Sequence, residues 1–131
     1  MATFPSIEKF LALRNLAIVG ASRNRGKYGN IVYRDLRAKG YRVFAVNPKS
    51  KEIEGDPCYP DLQSIPEKIE GVVIIVPPRR TENVVREVDS LGIRHVWMQP
   101  GAESAEAIQF CQEKNMNAIF DLCVMVMSHP I

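Results

Sequence analysis

The sequence has few of the residues that carry covalent or metal chemistry. Its three cysteines, Cys58, Cys111 and Cys123, are odd in number, widely spaced and without a CxxC pair. That fits a reducing cytoplasm better than a disulfide framework or a zinc site. The two histidines, His95 and His129, stand far apart, and no Ser/Cys–His–Asp pattern surrounds either. Long apolar runs are missing too. The longest strongly apolar one, Val72 to Val76, is far short of the ~20 residues that span a bilayer. The stretch Met1 to Phe10 has neither a basic region nor an extended apolar one, so no secretory leader is expected and the expected location is cytoplasmic. Excess charge of one sign is absent: 17 Lys and Arg face 15 Asp and Glu, a net +2. Neither nucleic acid nor a membrane surface is therefore an expected partner. Aromatics are sparse, with one Trp, four Tyr and five Phe, and they do not alternate with basic residues as a base-stacking surface requires.

What remains is a composition of ordinary globular type. At 131 residues, 46% apolar and 24% charged, the chain reads as one domain over 1–131 with no room for a second, catalytic one. Its charge is uneven. Residues 1–60 hold eleven Lys/Arg against five Asp/Glu, and nine of those cations fall between Arg23 and Lys51. A small anionic ligand suits such a cluster.

Along the chain, short β-branched runs alternate with helical stretches. Five apolar runs end at turn signals: Leu16–Val19 at Gly20, Tyr41–Val46 at Asn47-Pro48, Gly71–Val76 at Pro77-Pro78, His95–Met98 before Gln99-Pro100-Gly101, and Ala118–Phe120 at Asp121. Near-continuous apolar strands of this length point to a parallel sheet covered on both faces. Between them, Ser6 is placed to cap a helix through Leu11, and Gly29–Lys39 forms a helix closed by Gly40. Thr81 is placed to cap 82–91, and Ser104 to cap 105–114 with Ala107, Ile108 and Cys111 inward. The segment Leu62–Pro66 allows about one helical turn. The expected architecture is a Rossmann-like doubly wound α/β fold with five parallel strands in the order 3-2-1-4-5.

Ligands of such sheets bind beyond the carboxyl strand ends where the strand order reverses, here expected between strands one and four. The first loop reads Gly20-Ala21-Ser22-Arg23-Asn24-Arg25-Gly26-Lys27-Tyr28-Gly29. Gly20 allows a sharp turn and Gly29 a close helix–strand approach. N–H groups at the start of the following helix, with Lys27 and the Ser22 hydroxyl, suit a phosphate. The spacing is neither GxGxxG nor a P-loop. Strand two ends in Asn47-Pro48-Lys49-Ser50-Lys51, with no acid before Glu52. An NAD site needs an acid there for the ribose hydroxyls, so NAD is disfavoured, whereas NADP and the 3′-phosphate of coenzyme A both remain compatible.

Taken in order and spacing, a set of landmarks resembles one family. They are Ile18-Val19-Gly20-Ala21-Ser22, Lys27-Tyr28-Gly29, Gly40-Tyr41, Val46-Asn47-Pro48, Gly55, Cys58-Tyr59-Pro60, Val76-Pro77-Pro78, Trp97-Met98-Gln99-Pro100-Gly101 and Asp121-Leu122-Cys123. From about Leu16 to Met127 the chain is similar to the small stand-alone CoA-binding proteins related to the N-terminal domain of succinyl-CoA synthetase alpha subunits. The resemblance implies a site for the nucleotide half of CoA. In it the loop residues Gly20, Ala21, Ser22, Lys27, Tyr28 and Gly29 hold phosphate, with Asn47, Pro48 and Lys49 beside it. Val76, Pro77 and Pro78 line the adenine side, and Gln99 to Gly101 approach the pantetheine arm. The family loop often carries Pro where this chain has Tyr28.

No catalytic or metal-binding residue is assigned. In the ligases the phosphorylated histidine lies in a second domain and nucleotide hydrolysis in a partner subunit, so the resemblance implies a CoA or acyl-CoA binder without catalytic machinery. An NADP-linked redox protein, an acyl-CoA enzyme and a CoA-binding subunit of a larger ligase-type complex are the alternatives. A catalytic partner subunit or a second copy of the chain is compatible with each. His95 and Trp97 read as structural, and Glu103 and Glu106 as acids of a first helical turn. Cys123 reads as a small packed residue in preference to a thiol that pairs with CoA, and Arg79 and Arg80 as solvated residues at a helix start in preference to further phosphate contacts.

Overall fold

A computed structural model describes residues 3–131. Its elements are α1 (Phe4–Leu11), β1 (Asn15–Val19), α2 (Tyr28–Ala38), β2 (Arg42–Val46), β3 (Glu52–Ile53), β4 (Asp56–Tyr59), β5 (Gly71–Ile74), α3 (Pro78–Ser90), β6 (His95–Met98), α4 (Ala105–Glu113), β7 (Asn117–Ile119) and α5 (Val124–Met127). The seven strands form one sheet in the order β3-β4-β2-β1-β5-β6-β7. All neighbours are parallel except β3 and β4.

The α/β class and the Rossmann-like winding hold, but the five-stranded sheet and its 3-2-1-4-5 order do not. The run 71–76, expected outside strand two, pairs with β1 instead, Val19 opposite Ile74. The outer position belongs to β4, where Ala45 faces Cys58 and Val46 faces Tyr59. Four residues including Pro57 give no periodic strand signal, and Pro is tolerated only because this strand sits near the sheet edge. Segment 60–70 then returns across the sheet without a helix. Its Leu62, Ile65 and Ile69 are buried in the core shared with α3 and α4, doing the covering that a crossover helix does elsewhere. As a result the strand order reverses between β1 and β5, not between β1 and the 95–98 strand.

Strand residues alternate between two cores. Leu16, Ile18, Val73 and Trp97 pack with Phe10, Val32, Tyr33 and Leu36 of α1 and α2. Ala17, Val19, Val72, Ile74, Val96 and Met98 pack with Val85, Val88, Ala107 and Cys111 of α3 and α4. This two-sided burial is why the strands read as continuous apolar runs.

Helix ends differ from expectation by a few residues. Thr3, not Ser6, caps α1: Thr3 Oγ1 accepts from Ser6 N at 3.2 Å, and Ser6 Oγ accepts from Thr3 N at 2.9 Å. The α3 helix starts at Pro78, whose ring presets the first turn and has no N–H to leave orphaned. Thr81, expected as its cap, is buried inside that turn, its hydroxyl donating to the carbonyls of Val76 and Pro77. Ser104 caps α4 as expected, accepting from Ala107 N at 3.0 Å, and Ala107 and Cys111 are buried while Ile108 is half-buried. No helix of the described residues is long and apolar enough to cross a membrane.

Candidate functional site

The carboxyl ends of β1, β2 and β5 open into a cleft of about 520 Å³, within the range typical of small-molecule sites. Its walls come from three loops: Gly20, Ser22, Gly26, Lys27, Tyr28 and Gly29 after β1; Val46, Asn47, Pro48 and Lys49 at the end of β2; and Ile75, Val76, Pro77 and Arg80 after β5. Lys27, Lys49 and Arg80 are the charged residues of these walls, and no carboxylate lines them.

The loops meet because two glycines let backbone touch backbone. Gly20 sits at φ +99°, and a Cβ there would lie 2.3 Å from the Ile75 carbonyl oxygen. A side chain at Gly20 therefore collides with the neighbouring strand end before it reaches any ligand. A Cβ on Gly29 would lie 1.9 Å from Gly20 O, so the first turn of α2 rests directly on the end of β1. No side chain caps α2, whose N-cap position is held by Lys27. Its first N–H groups and the positive end of the helix dipole therefore favour an anion in the cleft.

Asn47 ties two loops together. Its Nδ2 donates to Ala21 O at 2.8 Å, and its Oδ1 accepts from Lys49 N at 2.9 Å. This places Lys49, itself exposed, at the cleft mouth with its ammonium free of the ion pairs found elsewhere in the described residues. Tyr28, the first residue of α2, also lines the cleft and is 67% exposed.

Of the residues singled out from sequence, Gly20, Ser22, Lys27, Tyr28, Gly29, Asn47, Pro48, Lys49, Val76 and Pro77 share this cleft. Gln99 and Gly101 line a smaller adjoining recess that shares Ile75, Val76 and Pro77 as a common wall. The Gln99 side chain is engaged elsewhere: Oε1 accepts from Val124 N at 2.7 Å and Nε2 donates to Cys123 Sγ at 3.4 Å. It fixes the corner where α5 begins. Ala21 is buried beneath the loop, and Pro78 is exposed on α3 outside the walls. Arg80, read from sequence as solvated, lines the cleft, whereas Arg79 does not. Gly26, Val46 and Ile75 also line it without having been singled out, because a loop glycine signals only a turn and an apolar residue near a strand end looks the same whether it faces a core or a cleft.

Groups with reactive potential lie elsewhere. His95 opens β6, at the end of the sheet opposite the cleft. Its Nδ1 is 3.2 Å from Asn117 Nδ2, and burial, with Lys9 nearby, pulls its pKa below the ordinary value. Burial pushes the Cys111 thiol up to about 11 and also raises that of Cys58, which keeps both protonated and unreactive at neutral pH. Cys123 is half-buried at the start of α5 and accepts the Gln99 amide hydrogen bond, so it is not a simple apolar filler. No metal-holding group of His, Cys, Asp and Glu occurs among the described residues.

Comparison with known proteins bears on this geometry. The chain is 40% identical over 135 residues to an ADP-forming acetate–CoA ligase I of Archaeoglobus fulgidus, an alignment covering 95% of this chain but 20% of the ligase. It thus spans about a fifth of that relative's length. An uncharacterized protein of Bacillus subtilis, YneT, is 27% identical and is covered over 84% of its length. Among solved structures, a conserved hypothetical protein of Pyrococcus furiosus superposes with a TM-score of 0.85 at 40% identity, over 88% of this chain and 100% of that one. A hypothetical protein of Pyrococcus horikoshii superposes at 0.91 with 34% identity, over 95% and 89% of the two chains. The sequence profile of the family described as CoA binding domain matches residues 14–129, and with it the loop, the strand ends and the cleft they form: the chain belongs to the CoA binding domain family.

Proposed function

We propose that the protein binds CoA or an acyl-CoA in the cleft over β1, β2 and β5, without catalytic machinery of its own. The observation that carries this reading is the charge of the walls: three cations and no carboxylate around an uncapped helix start. Such a lining suits a ligand with several phosphates and no complementary cation. In this reading the 20–29 loop and Lys27 hold the diphosphate, Lys49 and Arg80 meet further phosphate charge, and Val76-Pro77 flank the adenine. The pantetheine arm leaves through the recess at Pro100-Gly101, Gln99 supporting that wall from behind. The ligand is expected in the cytoplasm.

Thermal unfolding with CoA, acetyl-CoA, NAD, NADP, ADP and ATP tests it. A ligand at 100 times its Kd stabilises by ~2.7 kcal/mol, which for a domain of this size raises Tm by roughly 8–14 °C. CoA or acetyl-CoA is expected to give that rise; a rise with NADP and none with CoA would establish the redox alternative instead. In a second expected outcome, Lys49→Ala weakens CoA about tenfold and dephospho-CoA much less, measured by calorimetry. Equal losses would move Lys49 away from the 3′-phosphate.

A second reading, a CoA-binding subunit serving a separate catalytic partner, is favoured by one observation. The chain aligns over 93% of its length, and 29% of the relative's, with a protein named as the alpha subunit of ADP-forming acetate–CoA ligase II in Pyrococcus furiosus, at 24% identity. A stable complex with a ligase-type partner on gel filtration, its acyl-CoA synthesis depending on this chain, would establish it.

A further inference from the structure

Behind the cleft, on the side of the 20–27 loop away from β5, lies a polar cluster built on a strained turn. The β3–β4 hairpin turns in two residues, Glu54 at φ +51° and Gly55 at φ +80°. Positive φ at both positions marks a type I′ turn, which favours Asn, Asp or Gly at the first of them. A glutamate in the left-handed region is unfavourable by about 1–2 kcal/mol. Something outside the turn holds it there.

The carboxylate of Glu54 faces α2 and the loop. Its Oε2 accepts from Asn30 Nδ2 at 3.0 Å and lies 3.4 Å from Arg25 Nε. Asn30 is fully buried. Its Nδ2 also donates to Ser22 O at 2.8 Å, while its Oδ1 accepts from Arg34 Nε at 2.6 Å. Arg34 in turn donates to Arg25 O at 3.1 Å. Two loop carbonyls, those of Ser22 and Arg25, are therefore drawn away from the cleft and onto α2. The hydrogen bond from Asn30, with Arg25, Arg34 and Arg37 around it, lowers the pKa of Glu54, keeping it an anion.

We propose that Glu54 is a positioning residue for the anion-binding loop: it accepts the strained turn in order to anchor Asn30 and Arg25, which hold the 20–27 backbone open toward the cleft. The inference rests on the CoA reading above and adds to it a residue distant in sequence. A turn optimised only for folding would carry Asn-Gly.

Glu54→Asn supplies that preferred turn while its shorter side chain cannot reach Asn30. Its Tm is expected to equal or exceed that of the parent, its Kd for CoA by calorimetry to rise about tenfold, and amides 21–27 to exchange hydrogen faster. Glu54→Gln, which retains an acceptor for Asn30, is expected to lose no more than about threefold. CoA binding by Glu54→Asn within twofold of the parent overturns the proposal, as does a fall in Tm that accounts for the lost affinity. If the parent itself binds no CoA, the proposed function fails separately. Loop exchange in Glu54→Asn then decides alone: acceleration supports the anchoring role and unchanged rates overturn it.

Discussion

Gly29→Ala is expected to destabilise the protein by about 3 kcal/mol, the upper range for overpacking, and to lower Tm by roughly 10–15 °C. The direction is opposite to helix propensity, since Ala in place of Gly inside a helix gains about 1 kcal/mol. Packing overrides that gain. The added methyl would sit 1.9 Å from Gly20 O, 3.0 Å from Gly20 C and 3.3 Å from Ala21 Cα, all backbone atoms with no rotamer to give way. Gly20 cannot retreat: its N–H donates to Val46 O at 3.1 Å, and its Cα faces the Ile75 carbonyl. Nor can α2 move outward, because Val32, Tyr33 and Leu36 are fully buried against the sheet. On the proposed CoA reading affinity falls with stability, since the displaced turn lines the cleft. Thermal unfolding followed by circular dichroism reads the sign, and a rise in Tm would show that α2 does not rest on β1.

Trp97→Ala is expected to cost about 3–5 kcal/mol, a large part of the 5–15 kcal/mol typical of a whole domain. The ring is fully buried, its centroid 5.3 Å from that of Phe10 at an interplanar angle of 68°. Its Nε1 donates to Leu122 O at 2.8 Å. Truncation leaves a cavity between β6 and α1 and strips the 121–123 corner of its hydrogen bond. Trp97→Phe separates these effects: it keeps most of the packing, loses the donor, and is expected to cost about 1–3 kcal/mol for the orphaned carbonyl. Urea unfolding by circular dichroism is the suitable probe, because the chain has a single Trp. A Phe variant as unstable as the Ala variant would assign the loss to the hydrogen bond, not to packing.

Much of the candidate cleft is legible in the sequence. Gly20, Lys27, Gly29 and the Asn47-Pro48-Lys49 corner each announce themselves locally, through turn chemistry and charge at strand ends. Arg80 and Glu54 do not. Arg80 matters only because α3 starts at Pro78, three residues ahead of the expected cap, and so turns its first coil over the cleft. Glu54 matters only because a two-residue turn lifts it back against Asn30, 24 residues earlier. Gln99 shows the reverse: the family resemblance implied a place beside the ligand arm, but both its polar side-chain atoms are spent inside the protein.

Residue order alone set the alternation of buried strands and amphipathic helices, because burial on one or two faces leaves a periodic imprint in the chain. It also determined the anion-seeking character of the first loop, because φ freedom, short polar side chains and charge belong to individual residues. Strand order, and with it the partner of β1 across the cleft, was decided only by tertiary structure. Asp56–Tyr59 is too short and too polar to announce itself as a strand, yet its pairing with β2 takes the outer position and sends residues 71–74 to the other side of β1. That choice is a competition between sheet edges for the same hydrogen bonds, and it has no local signature.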